Sequence, residues 1–211
     1  MIVPVKRVVT EEILDHLPPD DPEAVRSRQD LRRINFLMGN ERWILRQVAR
    51  RPDLARKGIV ELGAGEGCLL RHLSAFGPST GIDLMPRPKD LSEAIQWRRG
   101  DVMEADLSGG ILVANLFLHH FEGGMLKRIG DLAKSFEMLI TVEPFRTRGA
   151  LRLGAIMNPW VGRVTRHDME ASIRAGFVAG ELREGLGLER WKIAERSSWR
   201  GGLRVLAWRN E

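Results

Sequence analysis

Apolar residues are spaced in two different ways along this chain. Over Pro22 to Met38, Ala24, Val25, Leu31, Ile34 and Leu37 recur at helical intervals; Gly39-Asn40 interrupts, and a second helix is predicted near Glu41 to Arg50. From Ile59 onward the pattern becomes short runs closed by glycine or a polar residue, at Ile59 to Leu62, Ser79 to Leu84, Trp97 to Val102, Ile111 to Asn115 and Phe136 to Val142. The continuous run at Ile111 to Asn115 suits a strand buried on both faces of a parallel sheet. Gly123 to Lys134 reads as a helix, and Arg190 to Arg196 and Leu203 to Trp208 as strands either side of the turn residues Ser198-Trp199-Arg200-Gly201-Gly202. Pro86 and Pro88 leave room for one short helical turn at most between the second and third strands. Thr165-Arg166-His167-Asp168 reads as a helix start, with Thr165 as the cap and Asp168 favouring the helix dipole.

The first of these strands ends in chemistry. Ile59-Val60-Glu61-Leu62-Gly63-Ala64-Gly65-Glu66-Gly67 is a strand, a glycine turn and the opening of a helix. Such a turn permits positive φ and close backbone approach to a ligand, and the helix start offers unpaired N–H groups. A dinucleotide fingerprint would need glycine at position 68, where the chain has Cys68. Glu61, two residues before the first glycine, suits a ligand with positive charge rather than a pyrophosphate. Asp83 closes the second strand, where a carboxylate can accept hydrogen bonds from both hydroxyls of a ribose. Open parallel sheets bind ligands at the carboxyl ends of their strands, so successive strand tips with polar residues form one constellation.

An acid, one residue and Gly-x-Gly-x-Gly after a strand resembles the first motif of the class I S-adenosylmethionine-dependent methyltransferases, and the later strand tips fall at that family's intervals. The resemblance spans most of the chain and implies a single α/β domain over 1–211. Its seven-stranded, mostly parallel sheet would have the order 3-2-1-4-5-7-6, with an antiparallel C-terminal hairpin and helices on both faces. Residues 1–57 would be a helical cap, 58–143 the cofactor-binding core, and 144–211 a substrate-side insertion and terminal hairpin. S-adenosylmethionine would be held by Glu61, Gly63, Ala64, Gly65 and Gly67, by Asp83 and Leu84 at the ribose, by Asp101 and Val102 at the adenine, and by Asn115. The departure is the reduced crossover between the second and third strands, which leaves the adenine edge more open or covered by the loop from Met85 to Leu91.

Methyl transfer depends mainly on positioning, but an acceptor hydroxyl must lose a proton, and the chain has no tyrosine. His119 and His120 follow the fourth strand, and Glu143 ends the fifth, so a histidine base with a supporting carboxylate is expected, His120 ahead of His119. His167, Trp160, Met157 and Arg146 are candidates for substrate contact, with Trp43 and Phe145 as further apolar lining. No metal site is expected, because the single cysteine, Cys68, has no partners for zinc; it also excludes an internal disulfide and fits a reducing compartment such as the cytoplasm. The start of the chain has no apolar core for a signal peptide, and no run approaches a membrane span.

The net charge of +5 is unevenly distributed. Lys and Arg number 12 against 9 acids over residues 1–57, 8 against 12 over 58–143, and 13 against 7 over 144–211. The basic flanks would favour an anionic or phenolate acceptor, or are simply solvated surface. No dense Lys/Arg run is interleaved with aromatics, so nucleic acid is a weak expectation. The reading is O-methylation of a phenolic or polyketide-like natural product by a monomer or homodimer. Methylation of RNA or protein, and a non-catalytic S-adenosylmethionine-binding accessory protein, are the alternatives.

Overall fold

The computed structural model describes residues 5–209. Seven strands form one sheet: β1 (Ile59–Leu62), β2 (Ser79–Asp83), β3 (Gln96–Arg99), β4 (Gly109–Asn115), β5 (Phe136–Pro144), β6 (Lys192–Ser197) and β7 (Gly202–Trp208). Their order is β3-β2-β1-β4-β5-β7-β6, as expected, with β1 to β5 parallel and β7 antiparallel to both β5 and β6. β6 begins two residues later than predicted, because the Trp191 N–H closes a turn on the Leu188 carbonyl and the indole is buried.

Period-two alternation sorts the central strand between two cores. Leu112 and Ala114 of β4 pack with Leu126, Ile129 and Leu186 on one face, and Ile111 and Val113 pack with Ile44, Val48, Leu54 and Leu69 on the other. The first face is covered by α6 (Gly124–Ala133) and α9 (Glu181–Gly185). The second is covered by α3 (Asn40–Ala49), α4 (Pro52–Ala55) and α5 (Cys68–Leu73). α4 approaches β4 so closely that a Cβ on Gly110 would overlap the Leu54 carbonyl. No helix joins β2 to β3, as the two prolines imply.

The helices of the N-terminal segment have two destinations. α3 and α4 belong to the sheet's own layer, whereas α2 (Pro22–Met38) reaches the carboxyl edge, where Arg28 and Arg32 ion-pair with Glu66 of the glycine turn. α2 starts at Asp21, whose carboxylate accepts from the Glu23 and Ala24 N–H groups, and stops at Gly39, in the left-handed region. Above the same edge lie α1 (Ile13–His16), α7 (Arg148–Met157) and α8 (Arg163–Ala175).

α8 begins two residues before Thr165, so Thr165 is not its cap; Gly162 is. The Thr165 hydroxyl is buried against Ser27 Oγ (3.1 Å) and Asp30 Oδ2 (3.2 Å), and Asp30 Oδ2 also accepts from the Gly162 N–H at 2.8 Å. Asp168 serves another helix: its two carboxylate oxygens accept from the Ile13 and Leu14 N–H groups at the start of α1. Among the described residues no helix is long and apolar enough to cross a membrane.

Asp30 is the polar joint between α2 and α8. Asp30→Ala should lower unfolding free energy by about 1–3 kcal/mol, since it strips a buried N–H and a hydroxyl of their partner. Urea denaturation reads this directly, and an unchanged midpoint would show that the joint contributes nothing.

Candidate active site

The carboxyl edge of β1, β2 and β4 carries the glycine turn and its neighbours. Gly63, Gly65 and Gly67 all have positive φ, at 64°, 52° and 70°. A side chain at Gly63 would run into the Phe117 ring, whereas nothing lies within 4 Å of a Cβ built on Gly65. Gly65 thus leaves its backbone open to approach from outside. Asp83 braces the turn: Oδ2 accepts from the Gly65 N–H at 2.7 Å and Oδ1 from the Met85 N–H at 2.8 Å. Each oxygen keeps a second lone pair for an outside donor.

Two buried acceptors at this edge have no hydrogen-bond partner among the described residues, Glu61 Oε2 and Asn115 Oδ1. Burial pushes the Glu61 carboxyl well above its usual range, and the negative charges of Glu41 and Asp83 add to the effect. An unpaired buried carboxylate is costly unless a cation meets it, which is the fit expected for a ligand with an ammonium group. Of the adenine candidates, Val102 is buried, while Asp101 accepts from the Met103 N–H at 2.9 Å and caps the 3₁₀ turn Val102–Glu104. Leu84 is exposed beside Asp83.

The other half of the site begins where β4 ends. Leu116 adopts φ 55°, strained for a leucine, and its N–H bonds the Val142 carbonyl at 2.8 Å. This turns the chain so that Phe117 covers Gly63 and the 3₁₀ turn Leu118–His120 sits over β5. Glu143, fully buried, accepts from the N–H groups of Phe117 (3.1 Å), Leu118 (2.9 Å) and His119 (3.2 Å), and from Thr141 Oγ1 at 3.2 Å. His119 Nδ1 lies 2.8 Å from its Oε2.

The three catalytic candidates consequently divide. His119 is 3% exposed and lies between Glu143 and Glu12, whose Oε1 is 3.5 Å from Nε2. Burial by itself would depress the imidazolium, but the carboxylates of Glu12 and Glu143 on either side outweigh it and hold His119 up at about 9. A histidine charged at neutral pH is a poor base, and the bonds between His119 and Glu143 fix the turn after β4. His120 is half-buried, its ring centroid 4.3 Å from that of His119. Burial, and then the His119 charge, hold its pKa below the usual value, so its ring is neutral.

Substrate candidates from the insertion fare unevenly. Arg146 is buried, with donors to the carbonyls of Val5 (2.6 Å) and Gly176 (2.9 Å) and a bidentate pair with Glu181, so it clamps the N-terminal segment to α9 and does not face a substrate. His167 is exposed, its Nδ1 2.9 Å from Asp168 Oδ1. Met157 is half-buried at the end of α7. Trp160, 71% exposed, lines a cavity of about 500 Å³ with Arg26, Arg33 and Val25 on the flank of α2. Trp43 packs against the sheet core below, and Phe145 against the opposite core. Glu12 went unseen in the sequence: it lies 107 residues before His119, in a stretch with no motif, and only the path of the N-terminal segment brings it there.

No protein-family model matches this chain, and no curated protein matches it in sequence. The fold, however, is that of S-adenosylmethionine-dependent methyltransferases of known structure. The plantazolicin methyltransferase BpumL in complex with SAH superposes with a TM-score of 0.68 at 12% identity, over 90% of this chain and 92% of that one. The magnesium protoporphyrin IX methyltransferase ChlM from Synechocystis PCC 6803, with bound SAH, gives 0.58 at 18% identity, over 82% and 83%. The N-methyltransferase NodS from Bradyrhizobium japonicum WM9 gives 0.52 at 18%, over 81% and 97%.

Because its pKa is raised in the folded state, the Glu61 carboxyl contributes stability at low pH that is lost as pH rises through the folded value. Glu61→Gln cannot titrate, so its stability relative to the parent should improve steadily from pH 5 to pH 8 in the absence of ligand. A parallel pair of stability curves over that interval would show that Glu61 is not held protonated by burial.

Proposed function

We propose that this protein is an S-adenosylmethionine-dependent methyltransferase acting on a small molecule, with oxygen of a phenolic or polyketide-like acceptor as the methylated atom. The observation that carries the reading is the unpaired Glu61 carboxylate beside the open Gly65 backbone, with Asp83 at the neighbouring strand tip. When bound, S-adenosylmethionine supplies an electrophilic methyl group. Glu61 would hold its ammonium group, the Gly63 to Gly67 backbone its methionine chain, Asp83 the ribose hydroxyls, and Val102 the adenine face. Solved structures of this fold whose names carry plantazolicin or magnesium protoporphyrin IX support a small acceptor.

The acceptor meets His120 in this reading. His120 is the neutral, half-buried member of the pair, and it receives the hydrogen bond of the acceptor hydroxyl. His119 and Glu143 act through it by fixing the turn. His167, Trp160 and Met157 would border the acceptor from the insertion. Most of the basic excess near this edge is engaged in structure: Arg7 bonds three backbone carbonyls, Arg146 two carbonyls and Glu181, and Arg163 pairs with Glu23. That favours a small acceptor over docking of RNA.

Calorimetry should find S-adenosylmethionine or S-adenosylhomocysteine binding that Asp83→Ala weakens at least about tenfold, the scale of a lost charge-assisted hydrogen bond or more. In a panel of phenolic acceptors with an S-adenosylhomocysteine readout, His120→Ala should lower turnover about 100-fold or more with cofactor affinity nearly intact. Undiminished cofactor binding by Asp83→Ala would remove the site, and full turnover by His120→Ala would leave positioning as the whole mechanism.

A further inference from the structure

His119 has its Nδ1 fixed on Glu143 at 2.8 Å, so its Nε2 is aimed at Glu12, whose Oε1 stands 3.5 Å away. A charge-assisted hydrogen bond between these groups would close to about 2.7–2.9 Å. The observed separation instead matches the edge of a tetrahedron: two donors each about 2.0–2.1 Å from a zinc ion lie roughly 3.3–3.5 Å apart. His120 brings a third donor, and ligand atoms of Glu12, His119 and His120 all lie within 4.8 Å of one another. The geometry points to a divalent transition-metal site formed by Glu12, His119 and His120, with Glu143 as the supporting carboxylate behind His119 and a fourth position left for an oxygen of the acceptor.

The surroundings are those such a site requires. A ligating imidazole commonly donates its other N–H to a carboxylate, which fixes tautomer and ring orientation, and Glu143 does this for His119. Glu12 is oriented in turn by the Ser172 hydroxyl of α8. Two nitrogens and one carboxylate oxygen suit zinc or cobalt rather than magnesium or calcium. Three protein ligands with one open position are the pattern of zinc sites that bind a substrate oxygen, whereas structural sites close all four. One ligand comes from the N-terminal segment and two from the tip of β4, so the ion would also fasten that segment over the site. The inference rests on the reading of the His pair as the acceptor site; with an ion bound, the Nε2 proton of His119 would be released, both imidazoles would serve as ligands, and the acceptor oxygen would meet the ion instead of the His120 nitrogen.

Protein stripped with a chelator and titrated with Co²⁺ is expected to bind one equivalent, with the visible absorption of a four- or five-coordinate ion, and to release it to Zn²⁺. Glu12→Gln, which keeps the shape of the side chain, and His120→Ala, at a half-buried position, should each weaken cobalt binding at least about tenfold while circular dichroism shows both folded. Absence of stoichiometric binding to the parent protein, or binding unchanged in both folded variants, overturns the site. Turnover separates this from the preceding proposal. A protein that binds no cobalt yet loses turnover in His120→Ala keeps its acceptor site and loses the metal; one that binds cobalt as expected while His120→Ala retains full turnover keeps the metal and loses the acceptor reading.

Discussion

Glu143 sits at the carboxyl end of β5 with no exposed surface, and the carboxyl edge is organised around it. Three successive backbone N–H groups, the Thr141 hydroxyl and the His119 ring all converge on its two oxygens. A buried carboxylate is tolerated only when its acceptor capacity is filled, and backbone N–H groups in a non-helical turn need an acceptor as much. Each requirement meets the other here. With the turn fixed in this way, the left-handed Leu116 backbone can be sustained, Phe117 is laid over Gly63, and the two imidazoles are presented side by side.

The site has two ends with opposite electrostatic character. At the glycine turn, Glu61 keeps a buried oxygen unpaired beside Asp83, and burial holds its carboxyl neutral until a cationic group meets it. Toward β5, positive charge on His119 is enclosed by Glu12 and Glu143, and burial, with that charge second, holds the pKa of the neighbouring His120 below its usual value. One strand tip thus offers a carboxyl group and the next a neutral nitrogen base. The division follows from burial: water would screen both effects, and Glu61 and His119 are both buried.

The helices above the edge are held by a few buried polar joints rather than by a second apolar core. Asp30 ties α2 to α8, Asp168 starts α1, and Arg146 joins the N-terminal segment to α9. Arginines that stand out as surplus charge in the sequence are largely spent on carbonyls: Arg200 and Arg204 bond the last carbonyls of α2 and the Gly39 carbonyl beyond it, where the helix dipole favours a cation. Segmental charge is therefore a poor guide to the partner.

The strands, the glycine turn, Glu61 and Asp83 were legible in the sequence because each depends on local periodicity or on spacing within one strand and its following turn, whereas the strand order was implied only by the family resemblance. Glycine spacing excluded the dinucleotide form without reference to anything distant. The roles of Thr165, Asp168, Arg146 and His119 were not legible, since a polar side chain that could cap its own helix can equally bond another element, and only packing decides which donor is desolvated. Glu12 is the clearest instance. Its place beside His119 and His120 is set by the Arg7 and Asp168 bonds that draw residues 7–16 across the edge, contacts more than a hundred residues apart in sequence. Local pattern determined the strands and the glycine turn; tertiary structure alone brought Glu12, His119, His120 and Glu143 together, because these groups become neighbours only when the chain has folded.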